Sequence, residues 1–508
     1  MFLLSLVVGV LAAAPRVVVI GVDGADPRVF EALWARGEAP ATHALAQRGF
    51  YGRLASAYAG KSPIIWTTVA TGQAPERHGI QNFLATGRQD IGDANEPVSS
   101  ADRRVKALWE IAGERGRKVL VAGWWATWPV TPVNGLMVSD RPAPIRKDHF
   151  VWPLELAADW TSWTASAERA YGKAFPGTEF VAPVDRMVSY AAVRQFEAAA
   201  PDAAWIYLRR PDVVGHHHWH GFEELAGNDA ADDARSAALL LGAYRAVDAS
   251  IGDIVAAAPA DTRFLVVSDH GFHLVPDETR VRLDFGRVLT RLGLLVREGN
   301  AVVAGKSKVL PLTADYTAAV KGLRVNLAGR DPHGVVPDAE REAVLADVTR
   351  RVEAITYAET GEPAFKVRRP PAGAAADLEV EVRRGPFSRT GLVIDGRVVP
   401  DIIEKVWRNT GGHNKEPPGI VIAAGPGIGH EAPVSPSVTD VGATTLHWLG
   451  LPVGADMVGR AWTEPLGAAG PAVAKVPTWE AGKREVAPGP KKEDDGVKDL
   501  LKELGYIE

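Results

Sequence analysis

The chain has 508 residues, 46% of them hydrophobic, so it is long enough to bury a large core and to form more than one domain. Its 57 Lys and Arg residues nearly balance its 62 Asp and Glu residues, and the formal net charge of −5 argues against stable binding to nucleic acid. The absence of cysteine excludes disulfides, thiolate metal sites and a cysteine nucleophile. Any metal must therefore be bound by histidines and carboxylates.

The chain begins with an apolar segment, Met1–Ala14, that ends in small residues. This pattern is typical of a secretory signal peptide, and the segment is too short to span a bilayer comfortably. We interpret residues 1–14 as a signal peptide, which predicts a periplasmic or secreted protein without a further membrane span. No Lys or Arg precedes the apolar run, so two alternatives remain. The segment could be an N-terminal strand extension of a cytoplasmic protein, or it could be an anchor that is not cleaved.

Short apolar, β-branched runs alternate with helical patterns along most of the chain. The predicted strands are Val17–Val22, Val119–Ala122, Ala204–Leu208, Arg263–Ser268 and Gly419–Ala423. The clearest predicted helices are Asp102–Glu114 and Ala230–Ala258. Such alternation predicts an α/β fold, in which a doubly wound, mostly parallel sheet carries helices on both faces.

The sequence texture changes between residues 295 and 399, where short polar strands surround the loop Asn326–Val336 and a helix near Asp338–Ile355. A candidate metal ligand lies beyond this stretch, so we interpret 295–399 as an inserted α+β cap rather than a separate domain. Residues 15–294 and 400–466 then form the catalytic core. Residues 467–508 are predicted to be a linker followed by a C-terminal helix near Gly496–Leu504.

Acidic and imidazole side chains follow several of the predicted strands. Asp23 comes directly after the first strand and precedes Gly24, while Asp269 and His270 end a later strand. Asp212 and His216 lie four residues apart in a histidine-rich segment, and His413 follows two glycines. Carboxylate and imidazole groups at one sheet edge can bind divalent ions. Taken singly, Asp23 could instead be a helix cap, and the histidine cluster could be surface-exposed.

Ser62 is a candidate nucleophile. It precedes Pro63 and an apolar, Thr-rich run that can form a helix, and backbone N–H groups at a helix N-terminus can hold a phosphoryl oxygen. The alternative is that Ser62 simply caps this helix.

Together, these segments resemble the alkaline phosphatase superfamily and, within it, the type I phosphodiesterase/nucleotide pyrophosphatase family. The resemblance runs from about Arg16 to Trp462, and the metal motifs occur in the family's order. It implies two Zn²⁺ ions, although manganese or another divalent ion would also suit these ligands. By resemblance, Asp23, Asp269 and His270 bind one ion together with the Ser62 oxygen. The second ion is bound by Asp212, His216 and His413.

The resemblance also implies a phosphoric ester hydrolase that acts through a phosphoseryl intermediate on a small phosphate ester or a nucleotide-like substrate. Nucleotide pyrophosphatases hold a phosphate oxygen with an Asn after the His-Gly-Ile step; here Asn82 comes one residue early and Phe83 fills the expected place. A phosphodiesterase or nucleotide pyrophosphatase is the first prediction. The alternatives are a phosphomonoesterase or phosphonate hydrolase of the same fold, and a catalytically silent metal-binding interaction protein.

Overall fold

The computed structural model describes residues 15–58, 61–84, 97–142, 148–171, 181–223, 230–275, 281–298, 301–312, 320–371, 374–383, 391–405, 410–413, 415–468 and 470–480. The chain forms two compact units. Among the described residues, the first unit covers those within 15–84, 97–275 and 410–480, and the second covers those within 281–405.

The first unit is built on a mixed sheet with a parallel centre. Its strands are β1 Arg16–Val22, β2 Phe50–Leu54, β3 Val119–Ala122, β4 Gly135–Val138, β5 Val151–Trp152, β6 Ala203–Leu208, β7 Thr262–Val267, β8 His273–Leu274, β20 Gly411–Gly412, β21 Gly419–Ala424, β22 Val453–Gly454 and β23 Lys475–Val476. Eight of them form the main sheet, in the order β2-β21-β7-β1-β6-β3-β4-β5. Strands β7, β1, β6, β3 and β4 run parallel, whereas β21, β2 and β5 are antiparallel to their neighbours.

Helices cover both faces of this sheet. They are α1 Pro27–Ala35, α2 Pro40–Arg48, α3 Ser62–Thr71, α4 Pro75–His78, α5 Leu108–Glu114, α6 Trp160–Tyr171, α7 Val181–Ala199, α8 Arg210–His218, α9 Ala230–Ala257 and α12 Val441–Trp448. Alternate residues of β1 enter two separate cores: Val18 and Ile20 pack on one face, and Val17 and Val19 pack on the other. Burial on both faces explains why the central strands are continuous apolar runs.

The sheet topology brings several strand ends to one edge. Because β7, β1 and β6 are parallel neighbours, the residues that follow them emerge side by side. Strand β21 pairs with β7 in the opposite direction, so it begins at the edge where β7 ends. Residues shortly before β21 can therefore join residues that follow the parallel strands.

The second unit has its own core. Its strands are β9 Val281–Leu283, β10 Arg297–Glu298, β11 Ala301–Val302, β12 Val309–Pro311, β13 Val320–Val325, β14 Thr356–Tyr357, β15 Phe365–Arg368, β16 Leu378–Val382, β17 Leu392–Ile394, β18 Arg397–Val399 and β19 Ile403–Lys405. Its helices are α10 Phe285–Arg291 and α11 Arg341–Glu353. A four-stranded antiparallel sheet, in the order β12-β13-β16-β15, is its largest sheet among the described residues.

The predicted α/β fold with a mostly parallel sheet is confirmed. The helix expected at Asp102–Glu114 begins six residues later, at Leu108, where the Glu110 side chain accepts a hydrogen bond from the Ala107 N–H. The proposed signal peptide and the C-terminal helix lie outside the described residues and stay predictions, as does the interpretation of 295–399 as a cap. Within the described ranges, no helix is long and apolar enough to cross a membrane.

Candidate metal centre

Asp23 is held at the end of the central strand β1. Its backbone N–H donates to the Leu208 carbonyl on the neighbouring strand, and its side chain is fully buried. Gly24 follows with φ of +64°, a conformation that glycine adopts without steric cost. A Cβ at Gly24 would lie 2.7 Å from the Asp212 Cα, so this turn brings the ends of β1 and β6 close together.

Asp212 and His216 lie on α8, which begins just after β6. Their four-residue spacing places both side chains on one face of the helix, and the His216 Nε2 is 3.4 Å from the Asp212 Oδ1. The other ring nitrogen of His216, Nδ1, lies 3.1 Å from the Gly411 carbonyl oxygen. Strand β20 thus orients the imidazole.

Asp269 and His270 follow β7 and are both completely buried. The Asp269 Oδ1 accepts hydrogen bonds from the Gly24 N–H at 3.2 Å and from the His270 N–H at 3.1 Å. The His270 Nδ1 lies 3.0 Å from the Gly271 carbonyl oxygen. The backbone turn after β7 therefore fixes both side chains.

His413 reaches the same edge from the other direction. It follows β20, which pairs with β8, and its ring stacks on that of His270 with centroids 3.8 Å apart. The His413 and His216 rings meet edge to face at 5.0 Å.

The six predicted metal ligands therefore converge. Candidate ligand atoms of Asp23, Asp212 and His270 lie within 4.8 Å of one another, and so do those of Asp212, His216 and His413. The His270 Nε2 is 3.5 Å from the Asp269 Oδ2, which places Asp269 beside the first group. Asp212 belongs to both groups, whereas the family resemblance assigns it to one ion alone. The division of ligands between two ions stays a prediction.

The orientation of His270 provides a test of whether a metal fits. Its Nδ1 must carry the hydrogen because it faces a carbonyl oxygen, so in the neutral ring Nε2 presents a lone pair. That nitrogen lies 3.5 Å from the Asp23 Oδ1, 3.8 Å from the Asp212 Oδ1 and 3.5 Å from the Asp269 Oδ2. Within the described part of the chain, neither the His270 Nε2 nor the Asp269 Oδ2 has a hydrogen-bond partner. A bound cation would stabilise a neutral Nε2 lone pair that faces three carboxylates, and the mixed Asp and His donors suit zinc.

The electrostatics favour a cation for the same reason. Burial, followed by the charges of Asp269 and Asp212, raises the pKa of Asp23 well above its ordinary value. The pKa of Asp269 is also raised, chiefly by burial. No Lys or Arg among the described residues lies within ion-pair distance of Asp23 or Asp269. A bound divalent ion would compensate these buried charges.

Ser62 is the first residue of α3 and is buried beside Asp23. Its Oγ donates to the Asp23 Oδ1 over 3.4 Å, so the hydroxyl points into the centre instead of capping its helix. The Ile64 and Ile65 N–H groups bond to the Lys61 carbonyl, and Pro63 has no N–H. The helix N–H groups that were expected to hold a phosphoryl oxygen are therefore largely used in hydrogen bonds within the chain.

Asn82 lies outside the two ligand groups, near the start of α3. Its Oδ1 accepts from the Phe83 N–H at 2.9 Å and from the Lys61 Nζ at 3.5 Å. Since Lys61 directly precedes Ser62, Asn82 is connected to the start of α3 through the Lys61 side chain. Its role in binding phosphate stays a prediction.

Sequence reasoning missed two residues that contact the centre. Tyr207, near the end of β6, and Trp66, on α3, both donate hydrogen bonds to the Asp23 Oδ2. Both lie inside apolar runs that predict core packing, and only the placement of Tyr207 at the end of a strand that leads into a ligand could have indicated its role. Trp124, Trp128 and Trp219 are buried core residues.

The fold and the site first define a class: an α/β protein whose parallel strands deliver carboxylates and imidazoles to one edge, as in the alkaline phosphatase superfamily. The family model for type I phosphodiesterase/nucleotide pyrophosphatase matches residues 17–407, well over half of the chain, and the protein belongs to that family. No curated protein matches the chain. Family membership makes the protein a phosphoric ester hydrolase that depends on divalent metal and acts on small phosphate esters or nucleotides. His413 lies beyond the matched residues.

Proposed function

We propose that this protein is a phosphodiesterase or nucleotide pyrophosphatase in which Ser62 is the nucleophile and two zinc ions occupy the centre. The observation that carries the proposal is the Ser62 hydroxyl, buried 3.4 Å from the Asp23 Oδ1 at the point where three carboxylates surround His270. A serine that served only to support the fold would not need to lie beside several buried carboxylates.

The proposed ligands are Asp23, Asp269 and His270 for one ion, and Asp212, His216 and His413 for the other. When bound, divalent ions would lower the pKa of a coordinated hydroxyl or water and offset the negative charge of the phosphoryl oxygens. The protein itself holds the Ser62 hydroxyl in a hydrogen bond to Asp23. Because both residues are buried, the reacting atoms are kept away from bulk water.

In the proposed reaction, the Ser62 oxygen attacks phosphorus and the ester oxygen departs, which leaves a phosphoseryl group on the enzyme. Water then attacks the same phosphorus and releases Ser62 as a free hydroxyl. Asn82 is proposed to hold a nonbridging phosphate oxygen through its amide, since its carbonyl oxygen is already occupied by Phe83 and Lys61.

A hydrolysis panel tests the proposal. Purified protein, stripped of metal and then reloaded with Zn²⁺ or Mn²⁺, is given aryl phosphate monoesters, aryl phosphate diesters, dinucleotides and phosphonates. We expect the diesters or dinucleotides to give the highest kcat/KM. A preference for monoesters or phosphonates would contradict the diesterase assignment. If the metal-loaded protein hydrolyses none of these substrates, the alternative of a catalytically silent metal-binding protein is favoured.

Replacing Ser62 tests whether it is the nucleophile or only supports the fold. Ser62→Ala should lower kcat by a factor on the order of 10³ or more, because it removes the proposed attacking oxygen. Ser189→Ala is the matched control, since Ser189 is also fully buried but its hydroxyl bonds to the Asp185 carbonyl in α7. Mass spectrometry of acid-quenched enzyme should find a phosphoryl group on Ser62. Full activity in Ser62→Ala would contradict the assignment.

A further inference from the structure

The two oxygens of Asp23 face different surroundings. Oδ1 faces the centre, 3.4 Å from the Ser62 Oγ and 3.5 Å from the His270 Nε2. Oδ2 is turned into the protein, where it accepts from the Tyr207 hydroxyl and from the Trp66 Nε1 at 3.2 Å. One oxygen is thus occupied by the protein, and the other is left for the site.

The donor from Tyr207 is itself oriented by a neighbour. The Trp125 Nε1 donates to the Tyr207 hydroxyl oxygen at 2.7 Å, which directs the Tyr207 hydrogen toward Asp23. Tyr207 is 1% exposed and lies in the otherwise apolar strand β6, so its hydroxyl is costly to bury without a strong partner. A hydrogen bond to a carboxylate is such a partner.

Trp66 connects the same carboxylate to the nucleophile. It lies one turn after Ser62 on α3, so the two oxygens of Asp23 accept from two residues of one helix. The Trp66 ring meets the Tyr207 ring edge to face at 5.2 Å and fills the space against Gly21, where a Cβ would lie 2.6 Å from it.

We propose that Tyr207 is a positioning residue for the metal centre, and that Trp125 orients its hydroxyl. By occupying Oδ2, Tyr207 and Trp66 fix the rotation of the Asp23 carboxylate and make Oδ1 the atom presented to a metal and to Ser62. Groups that hold a ligand in this way typically change metal affinity or activity by about 10- to 100-fold when removed. The inference rests on the proposed function, because it takes Asp23 as a metal ligand.

The test is the affinity of metal-free protein for Zn²⁺, measured by competition with a chromophoric chelator. Tyr207→Phe keeps the ring and removes the hydroxyl, and we expect it to weaken Zn²⁺ binding by about 10- to 100-fold. Tyr357→Phe is the matched control. Tyr357 is equally buried and its hydroxyl donates to the Arg383 carbonyl, but it belongs to the second unit, whereas all six proposed ligands belong to the first. Tyr357→Phe should lower the melting temperature and leave Zn²⁺ affinity within about twofold of wild type.

A double-mutant cycle tests the role of Trp125. Trp125→Phe removes the indole N–H and should weaken Zn²⁺ binding severalfold in the wild-type background. In the Tyr207→Phe background it should have no further effect, because the hydroxyl that it orients is gone. Additive effects of the two substitutions would overturn the role of Trp125.

Two results distinguish this inference from the function on which it rests. If Asp23→Ala binds Zn²⁺ as tightly as wild type, Asp23 is not a ligand, and the proposed centre itself is wrong. If Asp23→Ala loses Zn²⁺ but Tyr207→Phe matches wild type, or matches Tyr357→Phe, the positioning role of Tyr207 is overturned while the centre stands.

Discussion

Backbone carbonyl groups determine which nitrogen each central histidine presents. The Gly271 oxygen bonds to the His270 Nδ1, and the Gly411 oxygen lies against the His216 Nδ1. Both rings therefore turn Nε2 toward carboxylates, an arrangement that suits a bound cation. His413 completes the imidazole set by stacking on His270.

The contribution of His413 can be separated from that of the nearby histidines. In the proposed two-ion centre, His413→Ala should lower the bound metal from two ions to one per chain, because it removes an imidazole from the group with Asp212 and His216. His218→Ala should leave two ions bound, since the His218 Nδ1 bonds to the Ser236 hydroxyl and the residue belongs to neither ligand group. Metal content after gel filtration, measured by atomic emission, decides the matter. Equal metal content in the two variants would contradict the assignment of His413.

For single residues, the sequence indicated which side chains come together at the centre but not which contacts hold them there. All six predicted ligands come after strand ends or on the helix that follows one, and Ser62 joins them from the start of α3. Tyr207 and Trp66 were missed, since a tyrosine or tryptophan in an apolar run predicts core packing and only the fold aims its polar atom at Asp23. The contacts that hold the ligands depend on long-range packing.

Between elements, the close approach of β1 and α8 depends on a glycine. Gly24→Ala should place a Cβ 2.7 Å from both the Asp212 Cα and the Phe272 ring, in addition to a backbone cost of roughly 1–2 kcal/mol at positive φ. We expect the substitution to displace Asp212 and to weaken Zn²⁺ binding by tenfold or more, as measured by chelator competition.

Gly37→Ala controls for the backbone cost. Gly37 has φ of +69°, and apart from its two chain neighbours no described residue has an atom within 4 Å of the position of its Cβ. Gly37→Ala should lower the free energy of unfolding by the backbone cost alone and keep the Zn²⁺ affinity of wild type. Unchanged affinity in Gly24→Ala would show that the spacing between these elements is not critical.

The turn that follows α4 should give the protein a measurable sensitivity to acid. Burial, followed by the charge of Arg103, lowers the pKa of His78 from 6.5 to about 3. Its Nδ1 accepts from the Ile80 N–H at 3.2 Å, a bond that protonation would break. Since the unfolded chain takes up the proton first, this stabilisation is complete above pH 6.5 and is lost as the pH falls toward 3.

At pH 5 the loss from His78 should be about 2 kcal/mol. Urea unfolding of wild type and His78→Gln at pH 7.5 and pH 5 measures it. His78→Gln should be less stable at pH 7.5, and the gap should narrow by about 2 kcal/mol at pH 5 because glutamine does not titrate. A gap that stays constant between the two pH values would contradict this role.

The elements themselves were largely predictable from local pattern. The strand expected at Val119–Ala122 has the predicted bounds, and that expected at Ala204–Leu208 starts one residue earlier. Strand direction was harder to predict. Gly419–Ala424 is as apolar as the parallel strands, yet it runs antiparallel to β7, because the chain re-enters the sheet at the same edge where β7 ends. Burial sets the composition of a strand, whereas connectivity sets its direction.

The second unit interrupts the first unit along the chain. In the first unit, the Val275 N–H bonds to the Thr410 carbonyl at 2.8 Å, so the two ends of the interruption are adjacent. In the second unit, β9 and β19 pair antiparallel and join its two ends. The buried apolar cluster of the second unit is drawn entirely from residues between Phe285 and Ile402.

A self-contained core of this kind predicts that residues 277–409 fold as an isolated fragment. The fragment should unfold cooperatively in calorimetry with an enthalpy of about 90 kcal/mol near 60 °C, as expected for a domain of its length. Val348→Asp places a charge at a fully buried core position and should abolish the transition. The complementary chain, in which a short Gly/Ser linker replaces 277–409, should still bind metal, because all six proposed ligands belong to the first unit. A fragment without a cooperative transition would mean that this core needs the rest of the chain to form, even though its residues come from one continuous segment.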